Sequence, residues 1–367
     1  MCKIFFFPSL FRYHTTMNTF GKNFRVTTFG ESHGVALGAV IDGCPAGLPL
    51  STEEIAMELH RRRPGQSKVS TPRNEADAPE VLSGIFEGKT LGTPIAVIVR
   101  NTDHRSRDYS QIKNIFRPGH ADEVWHKKYG HRDYRGGGRQ SGRETLSRVI
   151  GGAVAKKLLS ETCGTRIFAH VTQIGEVRAE TFDETEIENN IVRCADKEAA
   201  KKMETCILKT RAEHDSLGGM VEIVIKNPPA MLGNPVFGKT EALLAQALMS
   251  IGTTRSVEYG EGKSVASRLG SEQNMKKEGI SGGITTGDDI VLRVAVKAPP
   301  TIAKPQQMKT ASGEIIEHSI GGRHDPTIAP RFVPVAESMV AMVLADLLLE
   351  SPSKIDDIFR NNDKKNS

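Results

Sequence analysis

The sequence predicts a protein of the α+β class that forms one large domain. Its 367 residues are 38% hydrophobic and 25% charged, an ordinary globular composition that allows a sizeable core. Segments with strand and helix patterns are mixed along the chain without strict alternation, which disfavours a doubly wound parallel sheet. We expect the domain to span residues 17–350, between a non-native or disordered extension at 1–16 and a charged flexible tail at 351–367.

The first predicted elements are two strands at residues 24–29 and 35–41, which flank a tight turn. A helix is predicted at 51–63, because Ser51 and Glu54 have the capping-box spacing that marks a helix start. A Pro-Gly pair directly after this segment ends the helical pattern.

The middle of the chain alternates between regular and polar segments. Residues 94–100 and 166–174 are predicted to be strands, and 145–159 is predicted to be a helix because its apolar residues recur at helical spacing. Segment 116–139 is rich in Gly, His and Arg and is predicted to be largely loop. Segment 180–202 is polar and charged, so we expect it at the periphery.

Four elements are predicted in the C-terminal half. Residues 220–226 and 289–297 alternate between apolar and polar side chains, as expected for strands with one buried face. Residues 240–251 and 335–350 have the pattern of amphipathic or buried helices.

Composition narrows the function classes. A net charge of +5 suits an anionic small substrate as well as nucleic acid, but only 5% of the residues are aromatic, which disfavours an RNA-binding module that stacks on bases. The five cysteines are scattered and never form C-x-x-C, which argues against a disulfide framework and a zinc site. No uninterrupted apolar run reaches the roughly 18 residues of a membrane span. We expect a cytoplasmic protein without a metal, a membrane or a nucleic-acid partner.

The most informative motif is R-G-G-G-R-Q-S-G-R-E-T at residues 135–145. Its glycines let backbone N–H groups approach a ligand closely, and Ser141 and Glu144 have the spacing of a capping box. A glycine loop that leads into a helix N-terminus binds anions through free N–H groups and the helix dipole. The arginines of the motif add positive charge, so we predict an anion site here.

The motif G-E-S-H-G at residues 30–34 matches the nucleophile-elbow pattern of serine hydrolases. That elbow requires a helix directly after Ser32, whereas residues 35–41 are predicted to be a strand. A hydrolase is therefore the less favoured alternative. His33 lies between glycines at a turn, where we expect it to face a cleft and to transfer protons near neutral pH.

Arg62 is a candidate ligand contact on the helix at 51–63. At 100° per residue it shares a face with Ile55 and Leu59, whereas Arg61 does not. A cation on the apolar face of a helix should have an anionic partner.

Two further turn motifs contain candidate residues. His120 lies in a Pro-Gly turn directly after Arg117, in a region rich in arginine. Asp325 precedes a proline, so its backbone should be extended.

Taken together, these segments resemble the chorismate synthase family from about Gly21 to Leu349. The matching blocks occur in the family's order, at residues 29–34, 61–65, 117–122, 135–145, 282–284 and 322–326. The resemblance implies a β-α-β sandwich and the conversion of 5-enolpyruvylshikimate 3-phosphate to chorismate and phosphate by anti-1,4-elimination. It implies reduced FMN as cofactor without net oxidation, NADPH or a separate flavin reductase as the source of electrons, and a homotetramer.

The resemblance also implies roles for individual residues. His33 resembles the histidine near the leaving phosphate, His120 the histidine near the flavin, and Asp325 the carboxylate that acts with flavin N5. Arg62 and Lys68 match positions that bind the phosphate of the substrate or of NADP. The positions that match FMN contacts are Arg139, Gln140, Ser141, Gly252, Thr253, Gly282, Lys297, Ala298, Pro299, Pro300, Thr301 and Arg323. The chain departs from the family pattern at Gly252-Thr253, at Ala298, and in segment 262–282, which is shorter than usual.

Overall fold

The structure is a computed structural model that describes residues 17–67, 69–70, 75–101, 113–321 and 324–350. The predicted extension at 1–16, the predicted tail at 351–367, Lys68 and Arg323 lie outside the described residues.

Helices and strands alternate irregularly along the described ranges, as the sequence predicts for the α+β class. The α-helices are α1 (Thr52–Arg62), α2 (Asp122–Tyr129), α3 (Thr145–Cys163), α4 (Lys197–Ala212), α5 (Thr240–Met249), α6 (Gly270–Gln273) and α7 (Ala329–Leu349). The strands are β1 (Thr19–Phe20), β2 (Arg25–Phe29), β3 (Ala36–Asp42), β4 (Ala46–Pro49), β5 (Pro79–Val81), β6 (Ile85–Phe86), β7 (Lys89–Leu91), β8 (Ile95–Arg100), β9 (Ile115–Phe116), β10 (Arg166–Ile174), β11 (Val177–Arg178), β12 (Gly219–Lys226), β13 (Thr254–Tyr259), β14 (Ile280–Ser281), β15 (Ile284–Thr285), β16 (Ile290–Val296), β17 (Gln306–Thr310) and β18 (Ile315–His318).

Two five-stranded antiparallel sheets form the outer layers of the molecule. Their strand orders are β1-β2-β3-β8-β5 and β11-β10-β12-β16-β13. Helix α3 packs on β2 and β3 of the first sheet, α7 packs on β10 and β12 of the second, and the two helices pack on each other. The layers therefore run sheet, helices, sheet, which confirms the predicted β-α-β sandwich.

Glycines allow the two central helices to approach closely. A Cβ atom on Gly152 of α3 would lie 2.1 Å from the Cβ of Ser338 on α7, and one on Gly151 would lie 2.8 Å from Val26 of β2. Any larger side chain at either position would push the layers apart.

Helix α7 is buried on nearly every side because it lies in the middle layer. It is the one helix in the described ranges that is long and apolar enough to suit a membrane span, but 89% of its most apolar window is buried inside the protein, as expected for a core helix. The helix begins at Ala329, six residues before the predicted start. Pro330 lies in its first turn, where proline is tolerated, and Pro334 lies inside it.

Several local predictions are confirmed. The Ser51 hydroxyl accepts a hydrogen bond from the Glu54 amide at 3.2 Å, and the Glu54 carboxylate accepts one from the Ser51 amide at 2.8 Å. The strand at 166–174 has the predicted bounds, and the apolar residues of β16 alternate into the core. These segments have strong local signals that agree with their tertiary environment.

Two polar segments contain helical residues that the sequence did not predict. Segment 116–139 contains α2, in which only Asp122 is buried, so the helix has no apolar stripe for a periodicity argument to detect. The polar segment 180–202 ends in the first turns of α4, which Asp196 caps by accepting hydrogen bonds from two backbone amides.

The predicted capping box of Ser141 and Glu144 is also wrong in detail. Ser141 accepts from the Arg143 amide at 3.3 Å, and a short 3₁₀ turn at Gly142–Glu144 precedes α3. The Glu144 carboxylate instead pairs with Arg148 at 3.0 Å. Glu144 therefore forms an ion pair with a cation of the neighbouring cavity and does not cap the end of the helix.

Candidate active site

A cavity of about 1070 Å³ lies where the glycine–arginine motif meets the N-terminal ends of α3 and α7. Its lining includes apolar side chains of α7, such as Phe332 and Met339, and a group of cations. The arginine and lysine side chains on the lining are Arg62, Arg117, Arg139, Arg143, Arg148, Arg255, Lys297 and Arg331. A cavity with this composition suits a ligand that combines a flat apolar part with negative charges.

The three consecutive glycines bend the chain over two histidines. Gly136, Gly137 and Gly138 have φ angles of 65°, 93° and 57°, which glycine adopts without strain. A Cβ atom on Gly136 would lie 2.1 Å from the His33 imidazole, and one on Gly137 would lie 3.0 Å from the ring of His120. Close approach to both rings explains why glycine occupies these positions.

The two residues after the glycines have unsatisfied polar atoms in the cavity wall. Nη2 of Arg139 donates to the Thr28 hydroxyl at 2.6 Å, but its Nη1 is buried and has no hydrogen-bond partner among the described residues. Within the same part of the chain, Oε1 of Gln140 is also buried without a partner. Leaving a buried donor and acceptor unpaired is costly, so this wall is built for a polar ligand that accepts from Arg139 and donates to Gln140.

His120 lies on the cavity wall within a buried charge cluster. Arg117 donates to Asp122 through Nε at 2.7 Å and Nη2 at 2.9 Å. Nδ1 of His120 lies 3.1 Å from the Asp122 carboxylate and 3.1 Å from Arg117 Nη2. Burial lowers the pKa of His120, and hydrogen bonds from Arg117 and His120 bring the pKa of Asp122 well below its usual range although burial alone would raise it.

These two contacts allow either tautomer of a neutral His120. Nδ1 can donate to Asp122 or accept from Arg117, but a single nitrogen cannot do both at once. In the first case Nε2 is an acceptor, and in the second it is a donor. The cluster of Arg117, His120 and Asp122 therefore allows Nε2 of His120 either to donate a hydrogen bond to a bound ligand or to accept one from it.

Arg62 lies on the buried face of α1, as the helix-face argument predicts. It is 2% exposed and lines the cavity. Its guanidinium donates to Asp77 at 3.2 Å, to the Gly142 carbonyl at 3.0 Å and to the Thr145 hydroxyl at 3.2 Å. Burial and the nearby Arg331 and Arg143 lower its pKa, so this cation gains from any further negative charge in the cavity.

A second buried arginine, Arg143, shares Asp77 with Arg62. Arg143 donates to Asp77 at 2.8 Å and also pairs with Glu75, and both Arg143 and Glu75 line the cavity. Asp77 thus bridges the two arginines that flank the start of α3. This arrangement fixes their positions without neutralising the cavity wall as a whole.

Asp325 lies on the lining just before α7. Its carboxylate pairs with Nη1 of Arg331 at 2.9 Å, and the Nε of Arg331 donates to the backbone carbonyl of Arg62 at 3.2 Å. The side chain of Arg331 therefore connects Asp325 to the backbone of Arg62.

Most of the residues that the sequence matches to FMN contacts come together at the cavity. Lining positions among them are Arg139, Gln140, Ser141, Gly252, Thr253, Lys297, Pro299, Pro300 and Thr301. Nζ of Lys297 donates to the Gly119 carbonyl at 2.6 Å, beside His120, and burial lowers the pKa of this lysine. Ala298 and Gly282 are not on the lining, and Gly282 lies in the turn between β14 and β15. Lys68 and Arg323 fall outside the described residues.

His33 does not face the cleft that the sequence predicts for it. It is 4% exposed and packs against Gly136, which lines the cavity, whereas His33 itself is not among the lining residues. Its Nδ1 is 3.2 Å from the Ser32 hydroxyl, which also donates to the Arg135 carbonyl at 3.3 Å. The tight turn buries the histidine and leaves the flanking Gly30 and Gly34 only partly exposed, which a sequence pattern alone does not reveal.

The hydrolase alternative finds no support in this geometry. Ser32 is 4% exposed and lies between two paired antiparallel strands, β2 and β3, rather than at a strand-to-helix elbow. Its hydroxyl is engaged with a backbone carbonyl. A nucleophile must be presented to its substrate, and this one is covered.

Sequence reasoning missed several cationic and aromatic residues of the site. Arg148 lies one helical turn after Glu144, and their i, i+4 spacing was a detectable signal. Arg331 belongs to the first turn of α7, which the sequence places outside the helix. Trp125, the single tryptophan of the chain, lines the cavity from α2, which was predicted to be loop.

The chain is similar to known proteins over most of its length. The model of the chorismate synthase family matches residues 24–349. A chorismate synthase of Methanosarcina mazei is 54% identical over 353 residues, which cover 91% of this chain and 96% of that protein. A chorismate synthase of Chloroflexus aggregans is 51% identical over 347 residues, which cover 90% and 95%. A crystal structure of a chorismate synthase superposes with a TM-score of 0.72 at 32% identity and covers 93% of this chain and 98% of that one. With this similarity and the confirmed sandwich fold, the chain belongs to the chorismate synthase family of lyases.

Proposed function

We propose that this protein converts 5-enolpyruvylshikimate 3-phosphate to chorismate and phosphate by an anti-1,4-elimination that depends on reduced FMN. In this reaction the C–O bond to phosphate breaks, the C6 hydrogen is removed, and a second ring double bond forms. The observation that carries the proposal is the arginine-lined cavity, whose wall contains a buried unpaired donor and acceptor at Arg139 and Gln140.

The cavity has the features that a flavin mononucleotide requires. Apolar side chains of α7 suit the flat ring system, and Arg139 and Gln140 offer a donor and an acceptor to its polar groups. Gly252, Thr253, Lys297 and the segment 299–301 would hold the rest of the cofactor. When bound, reduced FMN supplies the electron donation that assists loss of phosphate and removal of a hydrogen that is not acidic.

The substrate carries a phosphate and two carboxylates, which accounts for the number of cations. Arg62 and Arg143 are held rigidly by Asp77, so they can receive an anion without reorganising. Arginine offers a planar fork that matches phosphate and carboxylate oxygens. We place the leaving phosphate at this end of the cavity, where positive charge would stabilise the growing charge of the product.

Three residues would handle protons. His120 is neutral near pH 7 because burial lowers its pKa, and its Nε2 can hold or release a proton toward the ligand. Asp325, which is held by Arg331, would act with N5 of the flavin. His33 would act on the leaving phosphate only if the loop at Gly136 moves, because the glycine backbone covers its ring.

We further propose a cytoplasmic homotetramer that obtains reduced flavin either from NADPH at the same site or from a separate reductase. These features are inferred from the family.

An anaerobic assay tests the proposal. Purified protein is mixed with 5-enolpyruvylshikimate 3-phosphate and chemically reduced FMN, and chorismate absorbance and phosphate release are followed together. We expect product with reduced FMN and none with oxidised FMN. A folded protein that binds FMN and yields neither product would contradict the proposal. Repeating the assay with NADPH and oxidised FMN tests whether the protein reduces its own flavin.

A further inference from the structure

Arg331 connects two parts of the cavity that are far apart in sequence. Its Nη1 lies 2.9 Å from Asp325, six residues earlier, and its Nε lies 3.2 Å from the carbonyl oxygen of Arg62 at the end of α1. Both contacts use the same planar guanidinium, so the directions of the two partners are linked.

The contacts of Arg331 are sheltered from water. The side chains of Arg331 and Asp325 are 18% and 19% exposed, and that of Arg62 is 2% exposed. An ion pair with this degree of shelter is screened less than one at the surface. Arg331 also belongs to the first turn of the buried helix α7, which limits the movement of its backbone.

Arg331 lies near Arg62, which is also close to Arg143, so three arginines meet in this part of the cavity wall. Arg62 and Arg143 both pair with Asp77, Arg143 also pairs with Glu75, and Arg331 pairs with Asp325. Loss of the guanidinium removes one of the contacts that orient the Asp325 carboxylate, a negative charge on the lining of a cavity that would receive an anionic ligand. Like charges in a sheltered site repel strongly.

We propose that Arg331 is a positioning residue that sets the orientation of Asp325 relative to the end of α1. This inference rests on the proposed function for the role of Asp325 but not for the contact itself. Arg331 acts through Asp325 and the backbone of Arg62 rather than on the reacting atoms.

The test is a double-mutant cycle between Arg331→Lys and Asp325→Asn. Lysine keeps the positive charge but has no fork to reach both partners. We expect Arg331→Lys to lower kcat about 10- to 100-fold, because a misplacement of about 1 Å near reacting groups has effects of this size, and to raise KM, because a displaced carboxylate repels an anionic substrate. In the Asp325→Asn background, the same substitution should change kcat less than about threefold. Equal effects of Arg331→Lys in both backgrounds would overturn the proposal.

A second measurement on the same four proteins, that of substrate binding, does not depend on turnover. Calorimetric titration of the four proteins with 5-enolpyruvylshikimate 3-phosphate, in the presence of oxidised FMN, measures whether a released Asp325 weakens anion binding. We expect Arg331→Lys to weaken binding in the wild-type background and to have little effect when Asp325 is Asn. Additive effects on binding would overturn the inference even if the protein made no chorismate, and coupled binding without chorismate would count only against the proposed function.

Arg193→Lys is the matched control. Arg193 is also a buried arginine that contacts the start of α7, through the Pro330 carbonyl at 2.7 Å, but it is not on the cavity lining. We expect it to alter thermal stability without a selective loss of kcat and without coupling to Asp325→Asn. Quenching of Trp125 fluorescence by FMN, measured in every variant, reports cofactor binding independently of activity. A loss of FMN binding in Arg331→Lys that persists in the Asp325→Asn background would also overturn the proposal.

Discussion

Arg61 and Arg62 are neighbours in sequence and have opposite roles. Arg62 points into the cavity, whereas Arg61 makes a bidentate contact with Glu337 at 2.6 and 2.8 Å and also pairs with Glu58 and Glu188. The rotation of about 100° per residue separates a ligand-binding side chain from a structural one.

We predict that Arg62→Ala impairs substrate binding, whereas Arg61→Ala lowers the stability of the fold. Arg62→Ala should weaken binding of 5-enolpyruvylshikimate 3-phosphate at least about tenfold, because it removes a cation fixed on the cavity wall. Arg61→Ala should lower the free energy of unfolding by about 3–5 kcal/mol, because it leaves Glu337 buried without one of its partners. Calorimetric titration and urea unfolding measure the two effects. An equal loss of substrate affinity in the two folded variants would contradict the assignment.

We predict that His120→Ala loses most of its turnover and keeps substrate binding. The substitution removes an imidazole ring from the cavity lining and leaves the arginines in place. Steady-state assays and titration calorimetry measure the two properties. His131→Ala is the control, since His131 is exposed and absent from the cavity lining. Near-normal turnover of His120→Ala would refute the proposed role.

The pH dependence of the wild type gives a further check on the same residue. Since burial lowers the pKa of His120, the neutral ring predominates at pH 7, and its protonation requires a lower pH than that of an unperturbed histidine. We expect kcat to decline on that acidic side and the decline to be absent from the residual activity of His120→Ala.

At the scale of elements, the glycine loop at 136–138 depends on backbone conformation more than on side-chain chemistry. Its positive φ angles and close contacts with His33 and His120 place Arg139 and Gln140 on the wall. The turn of this backbone therefore brings Arg139 to the same cavity as the other lining arginines.

We predict that Gly136→Ala weakens FMN binding at least about tenfold while the protein stays folded. An alanine Cβ would lie 2.1 Å from the His33 ring, so the loop must shift and carry Arg139 with it. FMN titration followed by Trp125 fluorescence measures the loss, and circular dichroism checks the fold. Gly270→Ala is the control, because a Cβ there would meet open space. Equal FMN affinities in the two variants would show that the loop tolerates the shift.

At the scale of the whole molecule, Glu337 joins several layers of the sandwich. It lies in the middle of α7, with a side chain that is 1% exposed, and accepts from Arg61 of α1, Lys156 of α3 and the Ala169 amide of β10. Although burial alone would raise it, the attraction of Arg61 and Lys156 lowers the pKa of this carboxyl to about 2. A fully satisfied buried network of this kind orients the packing of the elements that meet at it.

We predict that Glu337→Gln lowers the free energy of unfolding by about 3–5 kcal/mol at pH 7, because two buried cations lose their shared anion. The folded-state pKa of Glu337 is below its unfolded value, so its contribution is complete above the unfolded pKa and is lost as the pH falls through about 2. Between pH 5 and 3, the variant should therefore lose less stability than the wild type.

Urea unfolding at several pH values measures both effects. Glu198→Gln is the control, because Glu198 forms an exposed pair with Lys201 and should change stability by less than about 1 kcal/mol. Wild-type stability and pH dependence in Glu337→Gln would show that the network contributes nothing to folding.

Two kinds of feature could be predicted from the sequence: local structure, which follows from short-range patterns, and the overall fold, which follows from the segments that match the family. The capping box at Ser51, the alternation of β16 and the face of α1 that carries Arg62 follow from short-range periodicity, and the structure confirms them. The family resemblance correctly predicted the sandwich. Helix α2 escaped detection because its single buried residue is Asp122, so it carries no apolar pattern.

Only the tertiary structure decided which charged groups meet. Arg331 binds both Asp325 and the end of α1, Glu337 joins three elements, and Gly136 covers His33 rather than exposing it. These contacts join residues that lie up to 276 positions apart. Periodicity reports which face of an element is buried, but the partner on that face depends on how the layers pack.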